Sequence, residues 1–292
     1  MKNTLLIFGL GYVGAYTAYH ALQKGYRVFG TTRTGKLNTE VISAYPDTNF
    51  SGVSVISFDD PQTLSDVFQE PITHILVTIP PQNGKDPLLE SWQTPMEKLS
   101  SLQWLGYLST TGVYGDHKGA WVDENSLCQP SNPRTKIRLM VEKEWLNSKL
   151  PTHIFRLSGI YGPGRNALNA LYEGSAKRVE KSDHFFSRIH VEDIIQTLLS
   201  SMKHPHQGAI YNLADDLPSS SREVIEYASH LSGLTLPPLL DYDSANLSEM
   251  ARSFYQDNRR IRNNKIKQDL GVTLTYPDYR NYFARIAPLF RR

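Results

Sequence analysis

The sequence predicts an α/β fold built on a doubly wound parallel sheet, with a smaller C-terminal lobe. Three observations carry this. The first half of the chain alternates short β-branched and apolar runs with longer amphipathic stretches, the pattern of βαβ units. Those runs are continuously apolar, as strands covered by helices on both faces are. A glycine triplet, Gly9, Gly11 and Gly14, follows the first run and opens the first amphipathic stretch.

The elements follow in order. Strands are predicted at 5–8, 27–30, 53–58, 75–79, 104–108 and 153–157, with a helix after the glycines that runs through Lys24 and stops at Gly25. Pro80 and Pro81 close the fourth strand, because neither can donate to a ladder. Past Leu157 the alternation gives way to Gly/Pro-containing loops, a strand at 209–213 and helices at 222–232 and 258–270. The expected division is a dinucleotide-binding domain over 1–157. A mainly substrate-binding lobe over 158–292 is interleaved with the last elements of the sheet.

Composition excludes several classes. At 292 residues, 40% hydrophobic and 21% charged, the chain can bury a full core. Its 31 basic and 29 acidic side chains leave a net charge of +2, too weak a field to gather nucleic acid or anionic lipid. Arg259, Arg260, Arg262, Lys265 and Lys267 alternate with Ile261, Ile266 and Leu270 at helical spacing, and read as the solvated face of a helix. Cys128 stands alone, so neither a disulfide nor a metal site is expected and a reducing compartment is favoured. The N-terminal apolar run is too short for a secretory signal, and no segment approaches a membrane span. A cytoplasmic protein is expected.

The glycine triplet has the spacing GxGxxG between a strand and a helix, the context in which it marks a Rossmann-type dinucleotide site. The first glycine permits the tight turn, the second lets pyrophosphate approach the backbone, and the third lets helix and strand pack closely. The helix N-terminus, with Tyr12 and Val13, offers N–H donors and a partial positive charge. Where a site for NAD ends the second strand with an acid, this chain has Thr31, Thr32 and Arg33, groups suited to a 2′-phosphate. NADP is therefore expected, with NAD as the alternative. Asp59 past the third strand is a candidate for the adenine amino group or for a helix cap. Ile79 and Pro80 at the end of the fourth strand complete the cofactor set.

The run Ser109, Thr110, Thr111, Gly112, Val113, Tyr114, Gly115 resembles the extended short-chain dehydrogenase/reductases, the group of the nucleotide-sugar epimerases and dehydratases. Arg156 to Arg165, Arg188 to Asp193 and Tyr211 to Ala214 extend the resemblance over nearly the whole chain. It implies a catalytic Ser/Thr on the fifth strand, then a Tyr acid/base and a Lys four residues beyond it. Thr110 falls at the first position. Leu139, Met140, Val141 and Glu142 look like the segment after the Lys, which places Arg134 at the Tyr position and Arg138 at the Lys position. No tyrosine lies between Tyr114 and Tyr161, so the chain is similar to the atypical branch that lacks the pair.

Arginine holds its proton throughout the working range, so Arg134 and Arg138 fit anion binding better than proton transfer. Thr110, Tyr114, Arg134 and Arg138 form the candidate catalytic set, with Arg138 also facing the cofactor. For the proton route, His117 and His190 are the other titratable groups available besides Tyr114. The favoured function is NADP-dependent reduction or oxidation of a small, anionic carbonyl or alcohol substrate. The alternatives are nucleotide-sugar epimerisation or dehydration, and non-catalytic NADP sensing. The resemblance also implies a homodimer.

Overall fold

The computed structural model describes residues 3–46 and 48–290. Its first half runs β1 (Thr4–Phe8), α1 (Tyr12–Gln23), β2 (Arg27–Thr32), α2 (Thr39–Ala44), β3 (Val53–Ser57), α3 (Pro61–Val67), β4 (His74–Val77), α4 (Pro87–Glu97), β5 (Trp104–Thr110) and α5 (Pro133–Asn147). Strands Thr152–Leu157 and Ile210–Leu213 complete a seven-stranded sheet of order β3-β2-β1-β4-β5, then 152–157, then 210–213. Every pairing within it is parallel. The order reverses between β1 and β4, which opens a crevice at the carboxyl ends of those two strands.

Residue parity decides which face each side chain covers. Leu5 and Ile7 of β1 pack with Ala15 and Ala18 of α1 and with Ile194 and Leu198 of the helix Val191–Lys203. Leu6 and Phe8 point to the other face, against Leu64, Leu88, Met96, Val141 and Trp145 from α3, α4 and α5. Leu5, Leu6, Ile7 and Phe8 are all fully buried, and each such side chain is worth about 1.5–3 kcal/mol over an exposed one. A third cluster joins Tyr161, Leu168, Val224, Tyr279 and Phe283.

Three expectations need correcting. The stretch 258–270 is not one helix: Arg260–Ile261 is a short strand paired in parallel with Trp121–Val122, and the helix begins only at Asn264 and ends at Leu270. Ile261 is drawn into the buried cluster around Val113, Tyr114 and Val122, a tertiary contact that outweighs the local helical spacing. The basic residues therefore do not share a solvated helix face. Arg260 lies over the rings of Trp121 and Phe185, Arg259 donates to the carbonyl of Gly115, and only Lys265 and Lys267 ride on the helix. The fourth strand also ends two residues early, at Val77, and just past it the Thr78 hydroxyl donates to the carbonyls of Phe8 and Gly9. Among the described residues no helix is long and apolar enough to cross a membrane.

Candidate functional site

The turn after β1 is held from three sides. Gly9 has φ 103°, a conformation L side chains rarely adopt, and its N–H donates to Thr31 Oγ1 at 3.0 Å. At Gly14 a Cβ would fall 2.0 Å from the carbonyl oxygen of Gly9, so helix and turn touch backbone to backbone. Gly11 differs. A Cβ there would meet no protein atom within 4 Å, and the residue lines a cleft of about 1250 Å³.

Whether a dinucleotide fits this turn can be tested on α1 itself. Helices α3, α4 and α5 are each capped by an Asp or Asn side chain, from Asp60, Asp86 and Asn132. α1 has no side-chain cap and no acid in its first turn, so its N-terminal N–H groups face the cleft without a competing carboxylate. At the end of β2 the Thr32 hydroxyl is buried and has no hydrogen-bond partner among the described residues. Arg33 beside it is exposed, and its carbonyl accepts from Ser57 Oγ at 2.8 Å, which fixes the loop. Turn, helix end and loop together suit a dinucleotide. Ile79 is half-buried and Pro80 exposed just past β4. Asp59 is exposed, and the cap of α3 that it was a candidate for belongs to its neighbour Asp60.

The same cleft brings together Gly11, Tyr12, Val13, Thr110, Arg134 and Arg138. Thr110 Oγ1 accepts from Gly112 N at 3.0 Å, which leaves its own proton free to donate. Arg138 is half-buried and fixed, with Nη1 donating to Tyr107 Oη and to the Leu108 carbonyl, both at 3.0 Å. Arg134, one turn earlier on α5, is exposed and sits 5.8 Å from the ring of Phe254.

Tyr114 does not join them. It is fully buried, donating from Oη to Asn212 Oδ1 at 2.8 Å and accepting from Arg156 Nη1 at 2.9 Å. Burial pushes its phenol up to about 12, with the charge of Arg156 working the other way. A locked, protonated phenol in the core cannot serve as the proton shuttle, so Tyr114 leaves the catalytic set. His190 is also buried: Nδ1 accepts from Glu192 N at the start of the helix Val191–Lys203, and burial pulls its pKa down to about 3. His117 is half-buried on a loop, with Nε2 3.1 Å from the Leu127 carbonyl.

The cleft also contains residues outside the candidate site set, among them Asn132, Ser158, Tyr161, Arg165 and Arg259. Arg165 carried a signal, since it closes the Arg156 to Arg165 run that resembles the family. Arg259 carried none, because its neighbours suggested a helix face.

No family model matches the chain. A solved structure of a conserved protein of unknown function from Silicibacter pomeroyi is 41% identical, with a TM-score of 0.87 over 99% of each chain. Protein YeeZ of Escherichia coli is 26% identical over 296 residues, spanning 95% of this chain and 97% of that one. The dTDP-glucose 4,6-dehydratase of Bacillus anthracis, solved with NAD, has a TM-score of 0.75 at 17% identity, covering 98% of this chain and 96% of that one. The chain belongs to the same family as the Silicibacter pomeroyi protein, on the fold of the NAD-dependent epimerase/dehydratase proteins, the extended short-chain dehydrogenase/reductases.

Proposed function

We propose that this chain binds NADP in preference to NAD and uses it to reduce or oxidise a small anionic carbonyl or alcohol compound. The observation that carries the reading is a single cleft lined both by Gly11 of the open glycine turn and by Thr110, Arg134 and Arg138. When bound, the nicotinamide supplies hydride transfer. Gly9 to Gly14 would hold its pyrophosphate, and Thr32 and Arg33 its 2′-phosphate. Thr110 is placed to donate a hydrogen bond to a substrate oxygen, and Arg138 supplies a fixed positive charge beside it. Neither arginine can accept a proton, so the proton at that oxygen has to travel through a hydroxyl or water rather than through α5.

Two measurements test this. Calorimetry should give a lower Kd for NADP than for NAD, and Arg33→Ala should remove most of the difference, since a charged hydrogen bond is worth about 1.5–3 kcal/mol. Equal constants in the unmodified protein refute the NADP preference. Arg138→Ala should weaken binding of the cofactor or of an anionic substrate analogue by a similar amount, and an unchanged affinity for both removes Arg138 from the site. Consumption of NADPH against a panel of small keto acids and aldehydes reads the reaction itself. A second reading, NADP binding without turnover, is favoured by arginines standing on α5 at the positions where the resemblance expects the Tyr and the Lys. Tight NADPH binding with no consumption across the panel would select it.

A further inference from the structure

We propose that Arg165 is a pyrophosphate clamp, carried over the N-terminus of α1 by a strap from the C-terminal lobe; the proposal rests on the dinucleotide reading of the cleft. The strap is the turn Gly162, Pro163, Gly164, Arg165. It closes on itself, with Gly162 N donating to the Arg165 carbonyl at 3.0 Å and Arg165 N to the Gly162 carbonyl at 3.1 Å. Pro163 and Gly164 fill its two central positions, Gly164 with φ 66°, the Pro–Gly pairing that favours a tight turn. Asn166 Nδ2 donates to the Gly162 carbonyl at 2.9 Å, so the base of the turn is fixed as well.

The strap is tied to α1 rather than merely near it. Tyr12, the first residue of that helix, donates from Oη to the Pro163 carbonyl at 2.9 Å, across 151 positions of sequence. Burial pushes the Tyr12 phenol up to about 12, while its contact with Tyr45 and the charge of Arg165 pull the other way, so it keeps the proton it donates. On the strap's other side Gly164 packs against Ala44 at the end of α2, where a Cβ would lie at 3.6 Å. A Cβ on Gly162 would fall 2.7 Å from Tyr12 Oη and 2.8 Å from Val191, so strap and helix meet without room for a side chain.

This anchoring sets the guanidinium of Arg165 5.7 Å from the centre of the Tyr12 ring, in the cleft that Gly11, Tyr12 and Val13 also line. Among the described residues Arg165 makes no ion pair, although it is exposed. A cation without a carboxylate, carried on a turn that is anchored to an uncapped helix N-terminus, is complementary to a diphosphate and not to a neutral ligand. It also means that the C-terminal lobe supplies a contact to the cofactor.

Calorimetric titration of NADP and NAD into the unmodified protein and three variants tests the clamp, with melting curves to verify folding. Arg165→Ala should weaken both cofactors by the same factor, roughly 10- to 100-fold, because both contain the pyrophosphate. Arg165→Lys should recover part of that loss. Tyr12→Phe, which cuts the tie to Pro163 and leaves every charge in place, should weaken both by a smaller common factor. An unchanged Kd in folded Arg165→Ala overturns the clamp while leaving the dinucleotide reading intact. A loss confined to NADP also overturns it, by placing Arg165 on the 2′-phosphate. An unchanged Kd in Tyr12→Phe overturns the anchoring role of the strap. An unmodified protein that binds neither cofactor overturns the clamp and the dinucleotide reading together.

Discussion

Gly11→Val is expected to abolish dinucleotide binding and leave the protein folded. The Gly11 backbone, at φ −79° and ψ −163°, is open to any L-residue, and a Cβ there meets no protein atom within 4 Å. The fold therefore has room for the side chain. What it loses is a modest helix-cap preference, about 1 kcal/mol, since valine is a poor residue at that position. A cofactor has no such room, because its pyrophosphate must lie against bare backbone at this point for the helix N–H groups to reach it. Calorimetry should show Kd raised more than roughly 100-fold, with thermal unfolding shifted by a few degrees at most. A folded Gly11→Val variant that retained cofactor affinity would show that the turn is only a structural link between β1 and α1. Gly14 could not serve for this test: a side chain there would strike the Gly9 carbonyl and disturb the fold itself.

The second large effect is expected in the core behind the site. Arg156, on the strand Thr152–Leu157, and Glu142, on α5, form an ion pair at 2.8 Å, with 4% and 1% of their side chains exposed. The guanidinium binds both carboxylate oxygens and also donates to Tyr114 Oη, which donates in turn to Asn212. Burial pulls the Arg156 guanidinium down, but hydrogen bonding to Glu142 and its charge outweigh this and hold it above its ordinary range. Glu142→Ala would leave a buried cation without its anion. Breaking such a pair from one side costs about 3–5 kcal/mol, a large share of the roughly 5–15 kcal/mol that a folded domain has in total. Denaturant unfolding should register that loss near neutral pH. A change under about 1 kcal/mol would mean that water reaches Arg156 once the carboxylate is gone, and that the network is not what joins α5 to the sheet.

Local chemistry made much of the protein legible in its sequence. The strands of the sheet could be read because continuous apolar runs have few alternatives, and the glycine turn because Gly9 and Gly14 answer to steric limits acting over a few residues. The absence of tyrosine from 115–160 was likewise visible without coordinates. Tertiary structure decided the rest. Tyr114 sat in a family motif beside Thr110, yet its hydroxyl is committed to Asn212 and Arg156, 98 and 42 positions away. The segment 258–270 had helical spacing, but pairing with Trp121–Val122 made its beginning a strand. Arg165 lies beside Tyr12, on a turn that Tyr12 binds at Pro163, 151 positions away. In each case the deciding partner is distant in sequence, and a contact closed across such a distance leaves no periodicity or spacing in the local residues that could announce it.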